Sequence, residues 1–212
     1  INVGLVGSEM CIRDSIEACV NFEPDNKRLV STLPFILPPK ENLLPNRYQA
    51  EKILSSQMAR ISKSEDMRAD VLASYNKLAD KGYFRSVASL SPDIQQLALD
   101  ESNGSYIIPW RCVWKENSLS TPCRIVFDAS SRTPGGLSLN CTLAKGQNRL
   151  NSLVNILMRF RCKPAAFSTD IRLAYNQISL DPNHLKFHKF LWKENLLDES
   201  PVELYVVMTM IY

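Results

Sequence analysis

Two β-rich runs facing each other across a polar turn constrain this chain more than any other feature. The first is Tyr106-Ile107-Ile108-Pro109-Trp110-Arg111-Cys112-Val113-Trp114, and the second is Arg124-Ile125-Val126-Phe127-Asp128. The polar stretch from Lys115 to Pro122 joins them, so the pattern predicts a long antiparallel hairpin. Lys115 falls near its tip and Arg124 at the start of the returning strand. A two-stranded hairpin is not stable in water alone and needs an apolar surface to lie on.

Two helical patterns precede it and read as a lead-in hairpin whose apolar stripes are core. Leu54, Met58 and Ile61 recur on one face, with Arg47, Lys52, Arg60 and Lys63 elsewhere. Met67, Val71, Tyr75 and Leu78 mark a second helix, with Ser64 as its cap and Gly82 as its stop. Before them, Lys27 to Pro39 reads as a short strand running into a proline-rich connector. Tyr83 to Val87 reads as a strand, Ser91-Pro92-Asp93 opens a short helix through Leu99, and Asn103-Gly104 marks a turn. Beyond the hairpin, Pro134-Gly135-Gly136 is a loop and Leu137 to Leu143 a helical turn. Asn148 to Phe160 reads as the clearest helix, with Leu150, Leu153, Val154, Leu157 and Phe160 as its buried face and Lys163-Pro164 as its end. Asp181-Pro182 turns the chain, Phe187, Phe190, Leu191 and Trp192 form an apolar cluster, and Val202 to Met210 is a last strand. The fold class is therefore α+β.

Between that helix and that turn lies Ala166-Phe167-Ser168-Thr169-Asp170-Ile171-Arg172-Leu173-Ala174-Tyr175-Asn176-Gln177-Ile178-Ser179-Leu180. Its start reads as a short strand that delivers Asp170 at its end. A turn with an aromatic follows, and Gln177 to Leu180 alternates as a half-buried strand does. A carboxylate at a strand end can hold a metal over a sheet; more often it ends a strand or caps a helix.

Composition narrows the class. The chain has 212 residues, 45% hydrophobic and 22% charged, which is ordinary for a globular protein. No apolar run is long enough to cross a bilayer, so no membrane partner is expected. Six scattered cysteines without a Cys-x-x-Cys pair point to reduced thiols and an intracellular, cytoplasmic setting. His184 and His188 have the spacing of two ligands on a helix face but lack a third, which favours ordinary histidines over zinc. Net charge is +3, yet Pro109 to Lys163 holds nine basic residues against Glu116 and Asp128, about +7 in all. That segment suits either a phosphate-contacting surface or a solvated face.

Arg124-Ile-Val-Phe-Asp-Ala-Ser-Ser with Gly136-Leu-Ser-Leu-Asn140, and Thr169-Asp170-Ile171 with Ala174-Tyr175 and Ile178-Ser179-Leu180, together resemble reverse transcriptases of Pao/BEL-type long-terminal-repeat retrotransposons. Leu43-Leu44-Pro45-Asn46, Tyr75-Asn76-Lys77, Lys81-Gly82-Tyr83 and Phe190-Leu191-Trp192 extend the resemblance in order from about Asn26 to the end. It implies a right-hand polymerase fragment. Residues 1–25 form an uncertain N-terminal segment, in which Gly7 to Asp14 resembles translated adapter sequence. Residues 26–104 form a helical lead-in, 105–164 the fingers, and 165–212 a partial antiparallel palm sheet, truncated.

The resemblance also implies roles. Asp170 stands for the first palm carboxylate, catalytic and a ligand of two Mg2+ ions (Mn2+ can replace them), and Ile171 for the residue whose carbonyl is a further ligand. Arg124 and Lys115 stand for the fingers residues that grip the triphosphate of an incoming deoxynucleotide. Tyr175 stands for the aromatic gate that disfavours a 2′-hydroxyl. The implied reaction is template-directed nucleotidyl transfer to a primer 3′-hydroxyl. Partners would be an RNA or DNA template with primer, deoxynucleoside triphosphates, and the rest of a polyprotein: remaining palm, thumb, RNase H and integrase. The family's aromatic-x-Asp-Asp motif does not occur in these 212 residues. The chain thus reads as a fragment cut at both ends and inactive alone. Arg172 beside Asp170 is a second departure: an ion pair between them would mark a degenerate element. Two other readings stay open, a non-catalytic nucleic-acid-binding remnant and an interaction module without nucleic acid.

Overall fold

The computed structural model describes residues 19–24, 27–114, 122–145, 150–162, 164–197 and 199–211. Lys115, Arg149 and Lys163, and the segment Gly7 to Asp14, lie outside the described residues. The fold is mixed α+β, with three small sheets and several helices.

β1 (Val20–Glu23) and β2 (Arg28–Ser31) form an antiparallel pair. A one-turn α1 (Pro39–Asn42) follows, then α2 (Arg47–Ile61) and α3 (Glu65–Ala79). The expected stripe of α2 is buried as Ala50, Leu54, Met58 and Ile61. Ser64 caps α3 by accepting from the Met67 N–H, so this start signal acts as expected. β3 (Phe84–Ser86) and α4 (Pro92–Leu99) come next.

The hairpin is present. β4 (Trp110–Trp114) pairs antiparallel with β5 (Cys123–Phe127), Arg124 lying opposite Val113. α5 (Leu139–Thr142), α6 (Leu153–Arg161), β6 (Ile178–Leu180), β7 (Lys189–Trp192) and β8 (Glu203–Val207) complete the chain. β8 pairs antiparallel with both β3 and β7. β6 departs from the expected antiparallel sheet, because it runs parallel to β2.

Two expectations fail. The run before Asp170 is not a strand: Pro164 to Asp170 is exposed and irregular, and among the described residues it pairs with no strand. A run of mostly small residues without a neighbouring strand to complete a ladder has nothing to hold it extended. The helix after the hairpin forms, but its apolar face is not buried. Leu153, Val154, Leu157 and Phe160 are all exposed, at 68%, 64%, 49% and 48%. Amphipathic spacing sets which side of a helix is apolar; it does not supply a surface to cover that side.

The core gathers motifs that lie far apart in sequence. Tyr75 of α3 stacks on Trp192 of β7 with ring centroids 4.0 Å apart. Trp110 of β4 packs on the same indole and donates its ring N–H to the Leu191 carbonyl at 2.7 Å. Phe84, Phe127, Phe190 and Tyr205 continue the aromatic contacts. Asn46 sits at the start of α2, yet its side chain does not cap the helix. Buried, it donates to the Ile107 carbonyl at 2.8 Å and accepts from the Ile107 N–H at 3.1 Å. The amide thus stands in for a neighbouring strand. Two nearly buried lysines bind acids at the end of α4: Lys186 to Asp100 at 2.7 Å and Lys189 to Glu101 at 3.2 Å.

Asn46→Ala leaves both backbone groups of Ile107 unpaired in the core. Urea unfolding should show a loss of about 3 kcal/mol. His188 is fully buried, and burial lowers its pKa to about 4, against a hydrogen bond to the Thr209 backbone that pulls the other way. The folded state keeps this imidazole neutral, while the unfolded chain protonates it below about pH 6.5. Stability is therefore full above that pH and falls as pH drops toward 4, by about 3 kcal/mol. Thermal melts from pH 7 to 4 should show this slope, and His188→Phe should flatten it.

Candidate nucleotide-binding cleft

α3 carries two faces at once. Tyr75 turns into the core, while Ser74, Lys77 and Leu78, spaced three and four residues apart, share a second face. That face forms one wall of a cleft of about 480 Å3. Arg124 and Ile125 of β5 form another wall, because α3 lies against this strand. The floor is the turn Leu173 to Asn176, and Ile211 closes one end.

The turn is tightly specified. Leu173 has φ +53°, a left-handed conformation that is uncommon for a bulky residue, and its side chain packs on the core cluster of α2 and α3. A 3-10 helix over Tyr175–Gln177 follows, and the Asn176 side-chain amide donates to the Thr209 hydroxyl at 3.1 Å. Tyr175 is left half-exposed on the cleft wall, at 59%.

Among the described residues the lining contains two cations, Lys77 and Arg124, and no carboxylate. Arg124 does not pair with Asp128. That carboxylate lies 4.0 Å from Arg111 and accepts from the Ser130 N–H at 3.1 Å. Among the described residues Arg124 makes no salt bridge, so its guanidinium remains open to a planar oxyanion. Tyr75 and Tyr205 lie behind the wall. Burial raises both phenols above their ordinary range, so both stay neutral.

The structure brings Arg124 and Tyr175 together and leaves Asp170 apart. Asp170 and Ile171 are exposed just upstream of the turn, and neither lines the cleft. Among the described residues no ion pair joins Asp170 to Arg172. Asp170 and the Ile171 carbonyl are hard oxygen donors of the kind Mg2+ prefers. One carboxylate does not make a magnesium site, and among the described residues no group of three or more His, Cys, Asp or Glu could hold a metal ion. The histidine pair is also explained without metal. His184 accepts from the Leu33 N–H at 2.7 Å, and His188 is enclosed in the core.

Ser74, Lys77 and Asn176 were not evident as site residues from sequence. Their helical or turn positions are readable, but which face of α3 meets β5 depends on tertiary packing. Among the described residues no helix is long and apolar enough to cross a membrane. Comparison with protein-family models finds no match, and comparison with curated proteins finds none either.

Proposed function

We propose that this chain is the fingers and partial palm of a retrotransposon reverse transcriptase of the Pao/BEL type, and that its cleft receives a deoxynucleoside triphosphate. One observation carries the reading. Arg124 and Tyr175, distant in sequence and assigned to triphosphate and sugar by the resemblance, line one cleft that holds no carboxylate among its described residues.

The chemistry fits those side chains. A triphosphate is a dense oxyanion, and a planar guanidinium can meet two of its oxygens at once. An aromatic ring beside the sugar acts by shape and leaves no room for a 2′-hydroxyl. Ile125, Leu173 and Ile211 give the base and sugar an apolar surface. In this reading Asp170 contributes one oxygen donor, which the described residues do not complete into a metal site. The exposed arginines Arg111, Arg132, Arg159 and Arg161 and the exposed Lys145 agree with a template–primer partner held by its phosphates.

Binding of a fluorescent deoxynucleoside triphosphate to the chain tests the reading. Arg124→Ala should weaken binding about tenfold. Tyr175→Ala should raise the affinity of the ribonucleotide relative to the deoxynucleotide, and Tyr175→Phe should leave the ratio unchanged. Equal affinities across all four proteins would overturn the assignment.

A further inference from the structure

Two cysteines meet on the inner face of the hairpin, and the cleft does not use them. In the ladder Cys112 of β4 lies opposite Ile125, and Cys123 of β5 lies opposite Trp114. Side chains alternate along a strand, so the two cysteines share one face as diagonal neighbours. Cys112 is 4% exposed and Cys123 1%, both within the core cluster of α2 and α3. A two-stranded ribbon twists more than a wide sheet, which draws one of its two diagonals together. Here the two thiols are close enough to share a hydrogen bond.

The surroundings give the pair a direction. The shared hydrogen bond lowers Cys123 below the ordinary thiol range, against its burial, and together with burial it raises Cys112. The Arg60 guanidinium, 4.8 Å from the centre of the Trp114 ring, favours the thiolate form of both, while Asp70 opposes it at Cys123. The first proton is therefore lost from Cys123, and the Cys112 thiol holds the resulting thiolate. A thiolate is what attacks an oxidant, and a thiol beside it is what resolves the product.

We propose that Cys112 and Cys123 are a peroxide-sensitive dithiol that closes reversibly into a disulfide between β4 and β5. The Cys123 thiolate attacks one oxygen of hydrogen peroxide. An S–O bond forms, the O–O bond breaks, and the departing hydroxide takes up the proton that Cys123 lost. Cys112 then attacks the sulfenic sulfur. An S–S bond forms, the S–O bond breaks, and the hydroxyl leaves as water with the Cys112 proton. Two thiols are oxidised and one peroxide is reduced to two waters. A diagonal bridge lies at the long end of disulfide geometry, so small thiols reopen it readily and are themselves oxidised to their disulfide. The inference does not depend on what the cleft binds.

Peptide mapping of the full 212-residue chain tests it. The folded chain is treated with hydrogen peroxide, unfolded in the presence of an alkylating agent and cut with trypsin. Cleavage after Arg111, Lys115 and Arg124 places Cys112 in residues 112–115 and Cys123 in residues 116–124. These two peptides should be recovered joined, and dithiothreitol added before unfolding should return them separate. Peroxide added in urea should instead scatter the pairing over other cysteines, because the register that selects this pair is gone. Cys112→Ala removes the resolving thiol, so its Cys123 should take up dimedone, a sulfenic-acid trap, and the unchanged chain should lose that label. Should Cys112→Ala not fold, the map of the unchanged chain decides alone. Recovery of both cysteines as alkylated thiols overturns the inference. So does Cys123 carried to sulfinic acid without a bridge, or either cysteine joined to the exposed Cys141 or Cys162 in place of its neighbour.

Discussion

The stack of Tyr75 on Trp192 is the contact from which the arrangement of this protein follows. Two flat rings at 4.0 Å and nearly parallel fix both the distance and the rotation of α3 over β7. Trp110 packs on the Trp192 ring as well and ties the hairpin to the Leu191 carbonyl. Helix, hairpin and the β7–β8 pair therefore share one aromatic joint. Without it, α3 could turn about its axis and the hairpin would lose its floor.

Rotation of α3 matters because its outer face is a wall of the cleft. A helix that buries Tyr75 and Val71 must direct Ser74 and Lys77 about a quarter turn or more away, since successive residues advance by roughly 100°. β5 fills that angle, its alternation sending Cys123 inward and Arg124 outward. Two periodicities, 3.6 on the helix and 2 on the strand, thus place two cations at one opening. The floor obeys a different constraint. Leu173 accepts a left-handed backbone because its side chain is held by the core, and that bend sets Tyr175 on the cleft side of the following 3-10 turn.

Much of this was legible in the sequence where local pattern and tertiary need agree. The stripes of α2 and α3, the Ser64 cap, the Asn103-Gly104 turn and the hairpin all formed because each signal is local. Gly104, with φ +83°, has the backbone of Pro39 and Lys40 within 3 Å of where a Cβ would sit, so the turn signal was also a packing signal. What failed depended on partners that sequence does not name. Among the described residues, Pro164 to Asp170 had no strand to pair with, and α6 had no surface to cover its leucines. Lys189 is the reverse case. A lysine beside Phe190 looks like a strand edge, yet it is 1% exposed because Glu101, at the far end of α4, reaches it. The cleft itself was half legible. Arg124 and Tyr175 stood out through the resemblance, whereas Lys77 was noticed only as part of a motif and not as a charge facing Arg124.

That division bears on what the ordered motifs are for. Asn46 clamps Ile107, Tyr75 and Trp192 stack, and Gly136 has the Asn42 carbonyl 2.8 Å from where a Cβ would sit. Each of these has a complete structural explanation and needs no ligand. Conversely, Arg124 and Tyr175 are not buried, and the core packs without their polar ends. A residue retained for stability should be surrounded; a charged group left open in a concave wall makes no such contribution, since exposed charges add little to folding. One motif thus reaches both places: Tyr75 builds α3 into the core, and Lys77, two residues later, lies on the helix face that lines the cleft. The scaffold is what makes the cleft's geometry specific, and it sets Arg124 and Tyr175 on two of its sides.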